Sequence, residues 1–255
     1  MESSKKMQII KKVFWQCMLI NIFMSVLAVP VAGSVDHELT MSPFSHVKKI
    51  RNSLKLSPQE AIKFFGKSYN PLILSIVNKA IDKLNITTPE EAAHLFGQLA
   101  CESARLSVVD GRFDPNKIAG KRYHGRGVIQ LTGIRNYRKA QKYFNIIFVG
   151  DSKEARRNRA RLADPTEVDL NVKILCWYWN TRVRKESRQS LYKVNYYSIL
   201  QVTRSIHDPQ MSFETIRGEK KTKHSKWHKN SYWYRVRYAK KIYKHYQNNL
   251  EMAVS

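Results

Sequence analysis

The sequence predicts a mainly α-helical domain with little or no sheet, over about residues 53–250. Three observations predict it. Apolar residues recur at helical spacing through several stretches. Proline follows a capping residue at three predicted helix starts. Strand signals are sparse, since only the short run 128–131, set off by glycines, could form a strand. The sequence contains no internal repeat, so we expect one domain and not a repeat array.

The three helix starts share one local pattern. Ser57, Thr88 and Asp164 each offer a side-chain oxygen, followed by proline and, two residues after the proline, by glutamate. This pattern is typical of a capping box with proline at the first helical position, which satisfies N–H groups at the helix start. An apolar stripe follows each of them. We also predict amphipathic helices over residues 72–84 and around residues 234–246.

Charge is the unusual feature of the composition. The 255 residues include 45 lysines and arginines against 20 acidic residues, for a net charge of +25. Hydrophobic residues make up 43% of the chain, which is enough to bury a core and excludes global disorder. A protein this basic is expected to meet an anionic partner, such as nucleic acid, an acidic membrane face or an acidic wall polymer.

The first 33 residues have the form of a secretory signal peptide. Four lysines precede an apolar run over residues 13–29, and small residues follow it. The run is short for a membrane span and contains Gln16 and Asn21, so we expect cleavage and export, to the periplasm or outside the cell. An uncleaved anchor formed by residues 13–29 is the alternative. Residues 34–52 would then be a linker.

Export changes the expected partner. Loss of residues 1–33 removes four lysines and one glutamate and leaves a charge of +22. An anionic cell-wall or envelope surface becomes the expected partner, and nucleic acid is not expected, since no nucleic-acid-binding motif occurs. Residues 211–246 hold eleven lysines and arginines and two glutamates, and we predict that this basic stretch contacts the acidic polymer. The run 156–161 adds to the same positive field.

Cysteine and histidine patterns predict no metal site. Cys17 leaves with the signal peptide, and Cys101 and Cys176 form either one disulfide or two buried thiols. His224 and His228 could ligate a metal from one helix face, but lysines surround them and no carboxylate is a close neighbour. We expect no metal, and no cofactor either, since no phosphate-binding glycine loop occurs.

Glu102 is the candidate catalytic acid. It follows Leu95 by seven residues and Leu99 by three, so on an ideal helix its side chain falls on the buried face. A carboxyl group there is costly unless it is paired or functional. Partial desolvation favours the protonated form, which a general acid needs. The alternative is an ion pair with Arg105, one turn later.

Four segments resemble glycoside hydrolase family 19, the chitinase and endolysin-like enzymes. Residues 86–103 (ITTPEEAAHLFGQLACES) are similar to the family's catalytic helix, where a glutamate before serine or threonine is the proton donor. Residues 123–137 (YHGRGVIQLTGIRNY) are similar to a long and specific family motif. Residues 164–179 and 202–206 are similar to two further family segments. The resemblance covers roughly residues 54–246.

The resemblance implies a lysozyme-like fold with a cleft between two lobes. It implies hydrolysis of a β-1,4 bond next to N-acetylglucosamine in chitin or peptidoglycan, by a secreted and monomeric enzyme in which Glu102 protonates the leaving oxygen. Uncharged amide and hydroxyl groups suit contacts with sugar hydroxyl and acetamido groups. The predicted substrate-binding residues are Tyr123, Arg126, Gln130, Thr132 and Asn136. Of these, Tyr123 and Arg126 could equally be scaffold residues.

The chain also departs from the family pattern. Inverting hydrolysis needs a second carboxylate as base, and the family uses a second glutamate. Here only two aspartates lie between Glu102 and the second motif. Asp110 stands close to where shorter bacterial members place that acid, so we predict it as the base, whereas Asp114, before a proline, could simply open a turn. Cys101 replaces a histidine, and residues 207–209 (HDP) replace Asn-Gly-Gly. A weakened or inactive glycan-binding protein is therefore the alternative.

Overall fold

Helices form the regular structure of the residues that the computed structural model describes, which are 50–111, 122–207, 210–221 and 224–252. A π-helical turn and two short helical turns lie over residues 179–192. The helices are α1 (Pro58–Phe65), α2 (Pro71–Lys83), α3 (Pro89–Glu102), α4 (Ile134–Phe144), α5 (Lys153–Leu162), α6 (Val168–Tyr178), α7 (Tyr196–His207), α8 (Phe213–Ile216) and α9 (Ser225–Met252).

The predicted mainly α fold is confirmed, and the one candidate strand, over residues 128–131, does not form. Within the described residues the only β pairing is a set of isolated antiparallel bridges, Asp110–Arg126 and Arg126–Leu131. Gln130 has a φ of 52°, and the Leu131 N–H donates to the Arg126 carbonyl at 2.9 Å. A left-handed residue inside this short run closes the chain into a tight turn, so no strand can continue.

The N-terminal predictions fall outside the described residues. These are the signal peptide over residues 1–33, the alternative anchor over residues 13–29 and nearly all of the linker over residues 34–52. All three stay predictions. No helix in the described part of the chain is long and apolar enough to cross a membrane.

Two of the three predicted caps form, and one of them is a complete capping box. The Ser57 hydroxyl accepts from the Glu60 N–H, and the Glu60 carboxylate accepts from the Ser57 N–H at 2.7 Å. The Thr88 hydroxyl caps α3 in the same way, at 3.3 Å from the Glu91 nitrogen. The Glu91 carboxylate, however, accepts from Arg184 at 2.7 Å, so the box is left half formed.

The third predicted helix start is wrong. One carboxylate oxygen of Asp164 accepts from the backbone N–H of Thr166 at 2.8 Å and from its hydroxyl at 2.7 Å. This local turn competes with helix formation. The helix α6 therefore begins three residues after the proline, at Val168, with Glu167 at the capping position.

Helix α3 runs through the core, with every side chain from Ala92 to Ala100 buried. Helix α9 packs along it in the opposite direction, as the pairs Gly97–Ala239 and Cys101–Ser231 indicate. A Cβ atom on Gly97 would lie 2.8 Å from the Ala239 Cβ and 2.9 Å from its backbone nitrogen. Glycine is required here because any side chain would push the two helices apart.

Neither cysteine in the described residues forms a disulfide. The Cys101 sulfur lies 3.3 Å from the Ser231 hydroxyl oxygen on α9. Cys176 is buried on α6, where desolvation raises the pKa of its thiol to about 11. The structure therefore favours the prediction of separate thiols over a disulfide, although Cys101 is only partly buried.

Candidate active site

Glu102 is the last residue of α3, and a buried cation holds its carboxylate in place. One Arg235 nitrogen donates to the Glu102 Oε1 at 2.6 Å. The Arg235 side chain is 1% exposed and the Glu102 side chain 15% exposed. The alternative of an ion pair is thus realised, but with Arg235 on α9 and not with the exposed Arg105. The Glu102 carboxylate remains in contact with solvent while its position is fixed from the buried side.

A buried polar cluster surrounds this ion pair, and we define it as Gln98, Glu102, Thr203, His207 and Arg235. The guanidinium of Arg235 also donates to the side-chain oxygen of Gln98, which is fully buried. The Gln98 amide nitrogen donates to the Thr203 hydroxyl at 3.1 Å. These hydrogen bonds fix the guanidinium and the carboxylate relative to each other.

His207 meets the same guanidinium from the end of α7. Its Nε2 lies 3.1 Å from an Arg235 nitrogen, which can only donate. Burial, followed by the positive charge of Arg235, holds the pKa of His207 well below its usual range. The imidazole is therefore neutral and accepts through Nε2. The carboxylate of Glu102 is then the charge partner of Arg235 in the buried polar cluster.

Asp110 lies in a second group of predicted residues, around a loop that we call the glycine loop, residues 122–133. The Gly127 N–H donates to the Val109 carbonyl at 2.7 Å, and the Gly111 N–H donates to the Gly125 carbonyl at 2.8 Å. The Asp110 carboxylate contacts the His124 Nε2 at 2.6 Å and keeps 59% exposure. Two backbone hydrogen bonds and one side-chain contact therefore fix Asp110 to the loop.

Gln130 and Thr132 on the same loop and Asn136 in the first turn of α4 form a chain of hydrogen bonds. The Gln130 amide donates to the Gly127 carbonyl, the Thr132 hydroxyl to the Gln130 carbonyl, and the Asn136 amide to the Thr132 carbonyl, at 2.7–2.9 Å. A Cβ on Gly125 would lie 2.6 Å from the Gln130 Oε1 and 2.9 Å from the Thr132 hydroxyl. Glycine at this position lets both side chains lie across the loop, with Thr132 exposed.

The contacts of Tyr123 and Arg126 favour the scaffold interpretation. Tyr123 is 8% exposed, and its hydroxyl accepts from the Gly150 N–H at 3.0 Å. Arg126 is 9% exposed and donates to the Arg122 carbonyl at 3.0 Å and to the Tyr137 hydroxyl at 3.1 Å. Both side chains brace the glycine loop, and their predicted substrate contacts stay untested.

The chain returns to the end of α3 before it reaches Asp110. The Val108 N–H donates to the carbonyl of Ser103, the residue after Glu102, at 3.0 Å. Asp110 follows Val108 by two residues, and two residues span at most about 7 Å. The return places Asp110 two residues beyond a backbone contact with the residue that follows Glu102. Asp114, the second aspartate between Glu102 and the 123–137 motif, lies outside the described residues.

The described residues contain no group of three histidine, cysteine, aspartate or glutamate side chains that could hold a metal ion. His228 lies on α9 and packs against the rings of Trp227 and His207. Burial lowers its pKa. These contacts place His228 beside the buried polar cluster, where it has an aromatic packing role.

No protein-family model matches the chain, and no curated protein matches it either. Solved structures do. The chain is similar in structure to chitinase C. The crystal structure of chitinase C from Streptomyces griseus HUT6037 has 16% sequence identity, covers 76% of this chain and 94% of its own, and has a TM-score of 0.49. A mutant of chitinase C has 17% identity, the same coverage and a TM-score of 0.48. At identities this low, a proposal about activity has to rest on the residues of this chain itself.

Sequence reasoning missed Arg235, because Gln98 and Glu102, the side chains that accept from it, lie more than 130 residues away in the chain. One signal could have found it. Arg235 shares the buried face of α9 with Tyr238, Ile242 and Tyr246, which recur at helical spacing. An arginine on such an apolar stripe needs a buried acceptor. Glu102, on the apolar face of α3, needs a buried donor for the same reason.

Proposed function

We propose that this protein is a glycosidase that hydrolyses β-1,4 bonds next to N-acetylglucosamine in chitin or peptidoglycan. The observation that carries the proposal is the Glu102 carboxylate, which is fixed by a buried arginine and partly open to solvent at the end of α3. A reacting carboxyl group must be positioned and yet accessible to substrate. Glu102 meets both conditions.

The proposed reaction is an inverting acid–base hydrolysis. In its protonated form Glu102 gives its proton to the leaving glycosidic oxygen, while Asp110 takes a proton from the water whose oxygen bonds to the anomeric carbon. Solvent then carries the proton from Asp110 back to Glu102, which resets the pair. The exposed hydroxyl of Thr132, with the side chains of Gln130 and Asn136, would contact sugar hydroxyl and acetamido groups. The glycine loop supports this division of roles because it carries Gln130 and Thr132 and is bonded to the residues on either side of Asp110.

Replacement of Asp110 by asparagine should lower kcat on the order of 100-fold with little change in KM. The physical reason is that the group acts on water and not on sugar. Initial rates on chitin oligomers would measure both constants, with Asp169→Asn as a control at an exposed carboxylate on α6. An unaltered rate for Asp110→Asn, with a large loss for Asp114→Asn, would move the base to Asp114.

We further propose that the protein is exported through residues 1–33, acts as a monomer and binds an anionic wall or envelope surface. The charge of +22 that remains after cleavage supports surface binding. Six described lysines of the basic stretch are exposed, and four of them serve for the test, namely Lys220, Lys221, Lys226 and Lys229. Export is a proposal, and it is to be tested on the processed protein.

Binding to peptidoglycan sacculi should weaken strongly between about 0.05 M and about 1 M salt, because salt screens surface charges within about 10 Å at 0.1 M. Replacement of Lys220, Lys221, Lys226 and Lys229 by glutamine should weaken binding at low salt. Replacement of four exposed lysines outside the basic stretch should weaken it less. That matched control uses Lys139, Lys142, Lys153 and Lys173. Pull-down with sacculi measures the salt dependence and the effect of each set of substitutions. Equal binding at the two salt concentrations would show that charge is not the anchor.

A glycan-binding protein that does not cut is the second candidate. The observation that favours it is that both candidate carboxylates already have partners, Glu102 with Arg235 and Asp110 with His124. Release of reducing ends from chitin hexamer and from purified peptidoglycan distinguishes the two functions. The proposal expects release from at least one substrate. Saturable binding of both glycans without release would establish the binding protein instead.

A further inference from the structure

A cavity of about 480 Å³ lies next to the candidate base. Four arginines of the glycine loop and α5 line it, together with two aspartates outside those segments and two alanines. Its volume falls within the range of about 300–1,000 Å³ that is usual for small-molecule sites. The charged residues that line it are Asp110, Arg122, Arg126, Asp151, Arg156 and Arg159.

Four guanidinium groups against two carboxylates make the lining of this cavity positive. Arg122 pairs with Asp151 at 2.7 Å, and Asp110 contacts His124 at 2.6 Å. Each carboxylate therefore already has a partner that can carry positive charge. An anion that enters the cavity meets the positive charge of Arg156 and Arg159.

Arg159 is the strongest indication that the cavity takes an anion. It is 5% exposed, and its guanidinium donates to the carbonyls of Phe148 and Gly150 and packs on the ring of Tyr123. All three partners are neutral, and among the described residues no carboxylate lies within ion-pair distance of Arg159. Burial lowers its pKa. A buried cation without a counter-ion is costly, and a bound anion would offset that cost.

Arg156 extends the positive lining towards solvent. It lies one turn before Arg159 on α5, is exposed, and lines the same cavity. A guanidinium pair of this kind matches a carboxylate better than it matches a neutral hydroxyl, since its N–H groups can donate to both oxygens. Asp110 lines the cavity as well, so an anion bound there lies beside the proposed site of water attack.

We propose that this cavity is a subsite for a carboxylate substituent of an N-acetylated glycan, such as the lactyl or stem-peptide carboxylate of peptidoglycan. Chitin carries no such group. The subsite would therefore make peptidoglycan the preferred substrate of the proposed glycosidase. The preference in cleavage rests on the proposed function. The preference in binding does not, because binding needs no reaction.

The test is an NMR titration of the full exported protein with two disaccharides that differ by one group. They are N,N′-diacetylchitobiose and N-acetylglucosaminyl-N-acetylmuramic acid, which adds the lactyl carboxylate. A third ligand carries a dipeptide on the lactyl group, so that its carboxylates come from the peptide. We expect one of the two acidic ligands to bind roughly tenfold more tightly than chitobiose. Which one does so identifies the source of the carboxylate.

Arg156→Gln should remove most of that roughly tenfold preference, whereas Arg157→Gln should keep it. Arg157 is the matched control because it is exposed on the same helix, carries the same charge and does not line the cavity. Equal loss in both variants, or no preference in the parent protein, would overturn the subsite. Hydrolysis of the disaccharides is visible in the same spectra, so the absence of cleavage is distinguished from the absence of the subsite.

Discussion

Replacement of Glu102 by glutamine is expected to lower turnover by roughly 100-fold or more, on whichever glycan the parent protein cuts. Glutamine retains an oxygen that can accept from Arg235 but has no acidic proton for the leaving group, and general acids contribute about 10²–10⁴ to such rates. Reducing-end release measures the loss. Binding of chitin oligomers should change far less, because the glutamine has nearly the shape of the glutamate.

The loss must be separated from an effect on folding. Glutamine leaves the buried guanidinium without its charge partner, so thermal unfolding of the Glu102→Gln protein has to be measured alongside turnover. The control is Glu154→Gln, at an exposed glutamate in the first turn of α5. Parent-level cleavage by a folded Glu102→Gln protein would remove Glu102 from the mechanism.

Replacement of Arg235 by methionine should lower the free energy of unfolding by roughly 3 kcal/mol, the lower end of the range for breaking a buried ion pair. The lower end applies because Glu102 keeps partial contact with solvent. The change also removes the donor to Gln98 and to His207. Urea unfolding measures the effect, and Arg237→Met, two residues along the same helix and exposed, is the control.

A second variant tests whether the cost comes from the ion pair itself. Arg235→Met combined with Glu102→Gln removes both charges, and it should recover part of the stability that Arg235→Met alone loses. Equal losses for Arg235→Met and Arg237→Met, with no recovery in the double variant, would show that the buried polar cluster contributes little to folding.

The sequence predicted those helices whose signals are local. Ser57 and Glu60 lie three residues apart, so the capping box can be recognised without knowledge of the fold. Asp164 shows the same pattern but fails, since its carboxylate binds the Thr166 N–H in a tight turn and the helix starts later. Both outcomes use the same residue types, and local pattern alone does not distinguish them.

The candidate site depended on contacts that spacing cannot show. The acid could be placed on the buried face of α3 from the positions of Leu95 and Leu99, and one turn later the sequence offered Arg105 as a partner. The actual partner, Arg235, comes from α9 because Gly97 lets that helix approach closely. A tertiary contact of this kind becomes visible only when the packing of the two helices is known.

The most direct test of the account is the anomeric form of the first product, followed by proton NMR during hydrolysis of a chitin or peptidoglycan oligomer. Inversion by Glu102 and a base such as Asp110 predicts that the α-anomer of the new reducing end appears first and then equilibrates with the β-anomer. Early β-anomer would contradict the acid–base pair, because it requires a nucleophile in place of a base. No product from either oligomer would contradict the glycosidase itself.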